Sequence, residues 1–180
     1  MKTITLRKNK WLSLMEVQAP DQGVDGYVYS HETRCQGEIV ALLPYRIKSP
    51  GVYEYLIKNE MTPCWGLKKT LSAITGGWEG GDIRSDAVRE LWEEAGYEVS
   101  KSELINLGAS YASKSSDTVY SLFSVDLTGY KQLAAPGDGS RVESESESFW
   151  VKSNVLQAVL DPQVSVMYLR LKKYLVAKNR

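Results

Sequence analysis

Apolar and polar residues alternate over several short segments in the first part of the chain, which is the pattern of half-buried strands. Residues 3–6, 11–17 and 26–31 predict a small N-terminal antiparallel sheet. Two later segments are almost continuously apolar, as strands buried on both faces are. These two segments, 38–44 and 52–58, are predicted to be strands. Three more strands are predicted at 104–111, 118–126 and 148–152.

The helices are predicted by apolar residues that recur three and four positions apart. The first helix is expected over 85–95, with Ser85 as its N-cap, Gly96 as its stop signal and a buried stripe of Ala87, Val88, Leu91 and Ala95. Two more are expected at 153–160 and 162–177. Strands on both sides of one central helix predict an α/β fold, an α/β/α sandwich with a mixed central sheet, preceded by the small N-terminal sheet.

Three carboxylates are concentrated on the first predicted helix. Glu90, Glu93 and Glu94 stand at i, i+3 and i+4 and therefore share one helix face. Such a cluster is either a solvated acidic face or an oxygen site for a hard cation such as Mg²⁺, and the spacing alone does not decide between them. The loop just before the helix, residues 74–82, carries four glycines in six residues, and glycine allows a ligand to approach the backbone closely. Loop and helix together predict a cradle for a metal-bound pyrophosphate.

Residues 76–97 resemble the Nudix box, G-x5-E-x7-R-E-U-x-E-E-x-G-U, in which U is aliphatic. The second half of the pattern matches, with Tyr97 in place of the last aliphatic residue and with Arg89, Glu90, Leu91, Glu93, Glu94 and Gly96 at fixed positions. The first half departs from it. If Gly76 is the box glycine, Asp82 replaces the glutamate and six residues, not seven, precede Arg89; counting back from Arg89 puts Gly81 there. The departure concerns a secondary metal site and leaves the core carboxylates intact.

The resemblance implies metal-dependent hydrolysis of the pyrophosphate bond in a nucleoside diphosphate linked to another moiety. Features outside the box look like the ADP-ribose and nucleotide-sugar branch of the family. The implied cofactor is Mg²⁺, with Mn²⁺ as a substitute. The implied metal ligands are Glu90, Glu93, Glu94 and Thr75, and the implied substrate-binding residues are Gly76, Gly77, Arg46 and Tyr29. For Tyr29, a place in the sheet or in an interface is the alternative, and it is favoured over stacking on a base.

Arg89 and Glu93 are the catalytic candidates on the helix. Arg89 cannot lose its proton and stands four residues before Glu93, so it is placed to orient that carboxylate. The alternative is an ordinary surface ion pair worth about 0.2–0.5 kcal/mol. A second acidic segment follows at 138–151, where Glu143, Glu145 and Glu147 project to one side of an extended chain. It is either a polar loop or the source of a base that acts on water, for which Glu145 is the first candidate, Glu143 the second and Glu147 the third.

Composition narrows the class of protein. With 180 residues, 43% of them hydrophobic, the chain can bury one substantial core. Residues 1–35 are expected to form the N-terminal strands and 36–180 the catalytic domain. Basic and acidic residues balance at 22 each, so bulk charge predicts neither nucleic-acid nor membrane binding.

No apolar segment has the length of a signal peptide or membrane span, so a cytoplasmic protein is expected. The two cysteines are expected to be reduced thiols in or near the core, and a single histidine excludes a zinc site of the usual spacing. The expected partner is a small-molecule nucleotide. The resemblance also implies a homodimer formed through the N-terminal sheet.

The alternative function is a sensor or regulator on a Nudix-like fold that binds a nucleotide metabolite without hydrolysing it. The complete Arg-Glu-x-x-Glu-Glu sequence favours the enzyme, whereas the altered region around Asp82 favours the sensor. A P-loop is excluded because Gly80 and Gly81 are followed by Asp82 and Ile83 rather than by Lys and Ser or Thr.

Overall fold

The computed structural model describes residues 1–137 and 146–178. Its first three strands form a separate antiparallel sheet in the order β1-β2-β3. Met15 on β2 stands opposite both Thr5 on β1 and Tyr29 on β3. The strand bounds are β1 Lys2–Lys8, β2 Leu12–Ala19 and β3 Val24–Glu32, so the predicted N-terminal sheet is confirmed.

Two four-stranded layers make up the rest of the β structure. The first has the order β8-β4-β10-β9 and is mixed, because β4 and β10 run parallel while the other pairs are antiparallel. The second has the order β11-β6-β5, with β7 paired to β6. The strands are β4 Glu38–Leu42, β5 Tyr45–Ser49, β6 Val52–Met61, β7 Lys69–Ser72, β8 Ile74–Gly77, β9 Ile105–Tyr111, β10 Val119–Ser124 and β11 Glu147–Lys152.

Three α-helices lie in the described chain: α1 Ile83–Ala95, α2 Ser153–Leu156 and α3 Pro162–Lys178. The prediction of Ser85 as the cap of α1 is wrong, because Asp82 occupies that position and accepts the backbone N–H of Arg84 at 3.0 Å. Gly96 ends the helix as predicted, in the left-handed region at φ 69°. The prediction that α2 extends to residue 160 is also wrong, since the helix closes after one turn.

The helices cover the two faces of the β structure. One core cluster packs α1 against the strands through residues that include Ala87, Leu91, Leu42, Leu56 and Phe123. The other packs α3 through residues that include Val164, Met167, Leu171, Ile57 and Leu122. Alternate residues of β4 and β6 thus enter different cores, which confirms the predicted α/β/α sandwich with a mixed sheet.

Two further expectations can be compared with the structure. Cys35 is a buried free thiol, whereas Cys64 is exposed, so the expectation of a core position is wrong for Cys64. In the parts of the chain that the structure describes, no helix is long and apolar enough to cross a membrane.

Candidate functional site

Helix α1 delivers its acids to the edge strand β8. Ala87, Leu91 and Ala95 are fully buried and hold the helix against the sheet. This orientation brings the carboxyl group of Glu90 against the backbone of Gly76, so closely that a Cβ at that position would overlap it. A Cβ at position 76 would force the Glu90 side chain to move, so glycine here allows the approach of a side chain from the same molecule as well as that of a ligand.

A cavity of about 350 Å³ opens between the glycine loop and this helix face. We call it the carboxylate cavity. Glu90, Glu93 and Arg89 line it from the helix side, opposite the backbone of β8. Its remaining lining residues are Arg34, Cys35, Thr75, Gly76, Gly77, Trp78 and Glu79.

Arg89 is the main cation of the carboxylate cavity. Its guanidinium lies 2.7 Å from a Glu93 oxygen and 2.8 Å from a Glu90 oxygen. It also lies 3.4 Å from Glu79 and 3.4 Å from Asp86. Partial burial lowers the pKa of Arg89, but the charges of Glu90 and Glu93 outweigh this and raise it. The contact with Glu93 expected from the spacing is present, and Arg89 holds two acids of the site at once.

Glu94 lies apart from the carboxylate cavity. Its side chain is 3% exposed and one carboxylate oxygen, Oε1, contacts the ammonium of Lys58. Its other oxygen, Oε2, is buried and accepts no hydrogen bond from the described residues. Burial raises the pKa of the Glu94 carboxyl, while the ammonium of Lys58 opposes this shift and the charges of Glu90 and Glu60 add to it. Only one oxygen of this carboxylate is therefore compensated by a positive group among the described residues.

Lys58 connects Glu94 to a second acid. Its ammonium lies 3.1 Å from Glu60, whose other oxygen accepts the hydroxyl of Ser72 at 2.8 Å. Burial lowers the pKa of Lys58, but the nearby carboxylates of Glu94 and Glu60 more than reverse this and raise it. Lys58 therefore stays charged inside the protein.

A second and larger cavity of about 570 Å³ adjoins the first through Thr75, which lines both. Its described lining contains two acids and no Lys or Arg, so it suits an uncharged group and disfavours an anion; we call it the neutral cavity after the kind of group that suits it. Hydroxyl groups, one amide, two acids and two aromatic rings surround it, and the Thr70 hydroxyl is buried there without a described hydrogen-bond partner. The lining residues are Glu60, Thr62, Trp65, Thr70, Ser72, Thr75, Ala112, Tyr120, Leu160, Asp161, Pro162 and Gln163.

The structure brings six of the predicted site residues together at the carboxylate cavity: Thr75, Gly76, Gly77, Arg89, Glu90 and Glu93. Arg46 lies elsewhere, where it pairs with Glu54 at 2.6 Å and stacks 4.2 Å from the Trp150 ring. Tyr29 lines a separate cavity of about 380 Å³ beside the N-terminal sheet. Glu143 and Glu145 lie outside the described residues.

The acid that reaches the cavity from the glycine loop is Glu79, three residues before Asp82. Asp82 instead caps α1 and pairs with Lys101 at 2.9 Å. The hydrogen bond from Lys101 is the main reason that the pKa of Asp82 is lowered. Asp82, the acid that is shifted relative to the Nudix box, therefore has a structural role at the start of α1. Glu79 is the acid of this loop that lines the carboxylate cavity.

The donor chemistry here fits a hard divalent cation. Glu90 and Glu93 present carboxylates to one cavity, and Glu94 adds a buried oxygen without a described partner. Within residues 1–137 and 146–178, no three His, Cys, Asp or Glu side chains are already clustered closely enough to enclose an ion. Arg89 and Lys58 currently balance these acids, so a bound cation requires them to give up part of their contacts.

Four participants were missed in the sequence: Arg34, Lys58, Glu60 and Glu79. Arg34 shows no pattern that would have marked it. Lys58 and Glu60 carried a detectable signal, since they are charged residues two and four positions after buried Leu56 on one face of a core strand. Glu79 lies inside the glycine loop, residues 74–82, whose composition already indicates a ligand-binding role.

Comparison with known proteins supports the architecture. No protein-family model and no curated protein sequence matches the chain. Among solved structures, it is similar to the crystal structure of an ADP compounds hydrolase, at a TM-score of 0.67 and 16% sequence identity, over 100% of this chain and 95% of that one. At this identity the similarity concerns the fold, and the chain therefore has a Nudix-like fold.

Proposed function

We propose that the protein hydrolyses the pyrophosphate bond of a nucleoside diphosphate linked to another moiety, such as ADP-ribose or a nucleotide sugar, with Mg²⁺ or Mn²⁺ as cofactor. One observation carries the proposal: the glycine backbone of β8 and the side chains of Arg89, Glu90 and Glu93 face each other across one cavity. The similar solved structure is that of an ADP compounds hydrolase, which agrees with this substrate class.

The residues of the site divide the chemical tasks. Glu90, Glu93 and Thr75 line the carboxylate cavity, and Glu94 would have to join them through its unpaired Oε2 to complete the proposed set of ligands. The divalent cation would supply positive charge to neutralise the phosphates during hydrolysis. Arg89 orients Glu93 and Glu90 through its two ion pairs. Arg34 lines the same cavity and adds a second guanidinium that can pair with phosphate oxygens. Catalysis by positioning and charge is what phosphoanhydride cleavage requires.

The neutral cavity supports the choice of substrate class. It adjoins the carboxylate cavity at Thr75 and has the volume of a typical ligand pocket. Its hydroxyls, acids and aromatic rings suit a sugar or a base, and its described lining offers no cation to a further phosphate. A diphosphate in the first cavity would thus extend its neutral substituent into the second.

Two other parts of the proposal concern groups away from the cavities. Glu145, with Glu143 as second candidate, remains the proposed base that takes a proton from water. The hydroxyl of Ser148 donates to the Glu94 carbonyl at 3.0 Å, so the chain resumes beside the end of α1. A homodimer is proposed through the N-terminal sheet, which exposes Trp11, Leu12, Leu14 and Tyr27.

The test is hydrolysis of ADP-ribose and a panel of nucleotide sugars with Mg²⁺ or Mn²⁺, comparing wild type with Glu90→Gln and Glu93→Gln. Each substitution keeps the shape of the side chain and removes its charge, so turnover should fall by about 100-fold or more. Glu98→Gln, an exposed glutamate after the helix, is the matched control and should keep wild-type turnover.

The outcomes separate the two candidate functions. Turnover that requires the metal and the two glutamates supports the enzyme. Wild-type rates in both variants would refute the assigned site. Saturable binding of the nucleotides without release of products would support the sensor, for which the departure from the Nudix box around Asp82 is the specific observation.

A further inference from the structure

Lys58 is a charged residue in the interior of a core strand. It lies on β6 between the buried residues Ile57 and Leu56 on one side and Asn59 on the other, and its side chain is only 3% exposed. A lysine in such a place is costly unless carboxylates compensate its charge. Lys58 has two of them, one from its own strand and one from α1.

The contacts of Glu94 are unequal on its two oxygens. Oε1 pairs with Lys58, while Oε2 is buried without a described hydrogen-bond partner. Glu90 stands four residues before Glu94 on α1, so the two side chains share one helix face. Glu94 therefore stands between an internal cation on one side and an acid of the carboxylate cavity on the other.

We propose that Lys58 is the resident counter-ion of Glu94 and that it competes electrostatically with the divalent cation. Lys58 thereby keeps the acids of α1 stable when no metal is bound, and it weakens metal binding. This inference rests on the proposed function, because it takes Glu94 as a ligand of the proposed cation site. Lys58 is a positioning residue in this scheme, since it acts through Glu94 and not on the substrate.

The competition follows from the charges. An ammonium and a dication that share one buried carboxylate repel each other, and low-polarity surroundings strengthen that repulsion. If Lys58 loses its charge, metal-free protein keeps a buried carboxylate without its counter-ion, which is the less stable arrangement. Metal-bound protein would still have a cation at Glu94, so removing the Lys58 charge would lower its stability less than that of metal-free protein. Since a metal that stabilises the folded protein more also binds it more tightly, the substitution should tighten metal binding.

The experiment measures Mn²⁺ binding by electron paramagnetic resonance, and the unfolding temperature with and without Mn²⁺, in protein without substrate. Lys58→Met should lower the unfolding temperature of metal-free protein, enlarge the increase caused by Mn²⁺ and lower the Mn²⁺ dissociation constant by about tenfold, which corresponds to about 1.4 kcal/mol of relieved repulsion. Lys58→Arg keeps the charge and should bind Mn²⁺ like wild type.

Two further variants control for the site. Lys101→Met removes a lysine from an exposed ion pair at the start of α1 and should leave Mn²⁺ binding unchanged. In Glu94→Gln protein, Lys58→Met should no longer tighten Mn²⁺ binding, because the shared carboxylate is gone. If Lys58→Met does not fold without metal, Lys58→Gln, which keeps a hydrogen-bond donor, takes its place in every comparison.

Three results would overturn the inference: Mn²⁺ binding that is unchanged or weaker in Lys58→Met, tightening that persists in the Glu94→Gln background, or no Mn²⁺ binding by any variant. These results do not depend on turnover. A protein that cleaves no pyrophosphate but shows the expected Mn²⁺ pattern would refute the proposed reaction and keep the role of Lys58.

Discussion

Gly76→Ala tests whether the approach of Glu90 to β8 organises the site. The backbone at Gly76 has an ordinary φ for an L-residue, and the three atoms nearest to an added Cβ all belong to the Glu90 side chain. Forcing a side chain out of a packed position costs about 1–3 kcal/mol. Replacing glycine by alanine at a compatible position returns about 0.4–1 kcal/mol through the unfolded chain. The difference between these ranges is about 0–2.6 kcal/mol, and its middle predicts a fall of about 1 kcal/mol in the free energy of unfolding.

The assay is urea denaturation of four proteins: wild type, Gly76→Ala, Glu90→Ala and the double variant. In the Glu90→Ala background the obstacle is absent, so Gly76→Ala should become neutral or stabilise by about 0.4–1 kcal/mol. This change of sign distinguishes side-chain overlap from a general defect of the strand. An equal loss of stability in both backgrounds would refute the reasoning, as would no loss in either one.

Three further predictions concern the support of the site. Leu91→Ala removes a fully buried side chain that anchors α1, and should lower the free energy of unfolding by about 2–5 kcal/mol in the same denaturation assay; a loss below about 1 kcal/mol would contradict its place in the core. Asp82→Ala should lower the urea midpoint more than Ser85→Ala, because Asp82 supplies the cap; the reverse order would restore Ser85 as the cap. Burial raises the pKa of Tyr55 to about 12 and that of Tyr120 to about 12, above the ordinary value of 10.0. The stability that these two buried tyrosines contribute should be complete below pH 10.0 and lost as the pH rises toward 12. Ultraviolet titration of tyrosinate, alongside unfolding measurements, can follow this loss. Titration of all eleven tyrosines near the ordinary value would contradict the burial.

The elements that the sequence predicted well are those with a strong local signal. Helix α1 has a regular apolar stripe and a glycine stop, and the N-terminal strands alternate cleanly. Strand β5 was missed because Pro44 and Pro50 flank a segment of only five residues and interrupt its pattern. The start of α1 was misplaced because Asp82 and Ser85 are both good caps, and only the hydrogen bond to Arg84 distinguishes them.

The candidate site was predictable to the extent that it is local. Arg89, Glu90 and Glu93 lie within one turn of α1, and the glycines precede that helix directly, so short-range spacing was enough to group them. Arg34 and Lys58 join them from distant parts of the chain; Lys58 meets Glu94 across a separation of 36 residues. The neutral cavity likewise combines residues between Glu60 and Gln163.

By itself, the sequence determined the period of each main helix and strand, the acidic face of α1 and the glycine loop before it, because these properties depend on neighbours along the chain. Tertiary structure decided which carboxylate faces the carboxylate cavity and which faces Lys58. Glu93 and Glu94 are adjacent and identical in type, yet one lies beside Arg89 and the other is buried against β6. That distinction depends on the charges that packing brings near each carboxylate, and the spacing along the helix does not contain it.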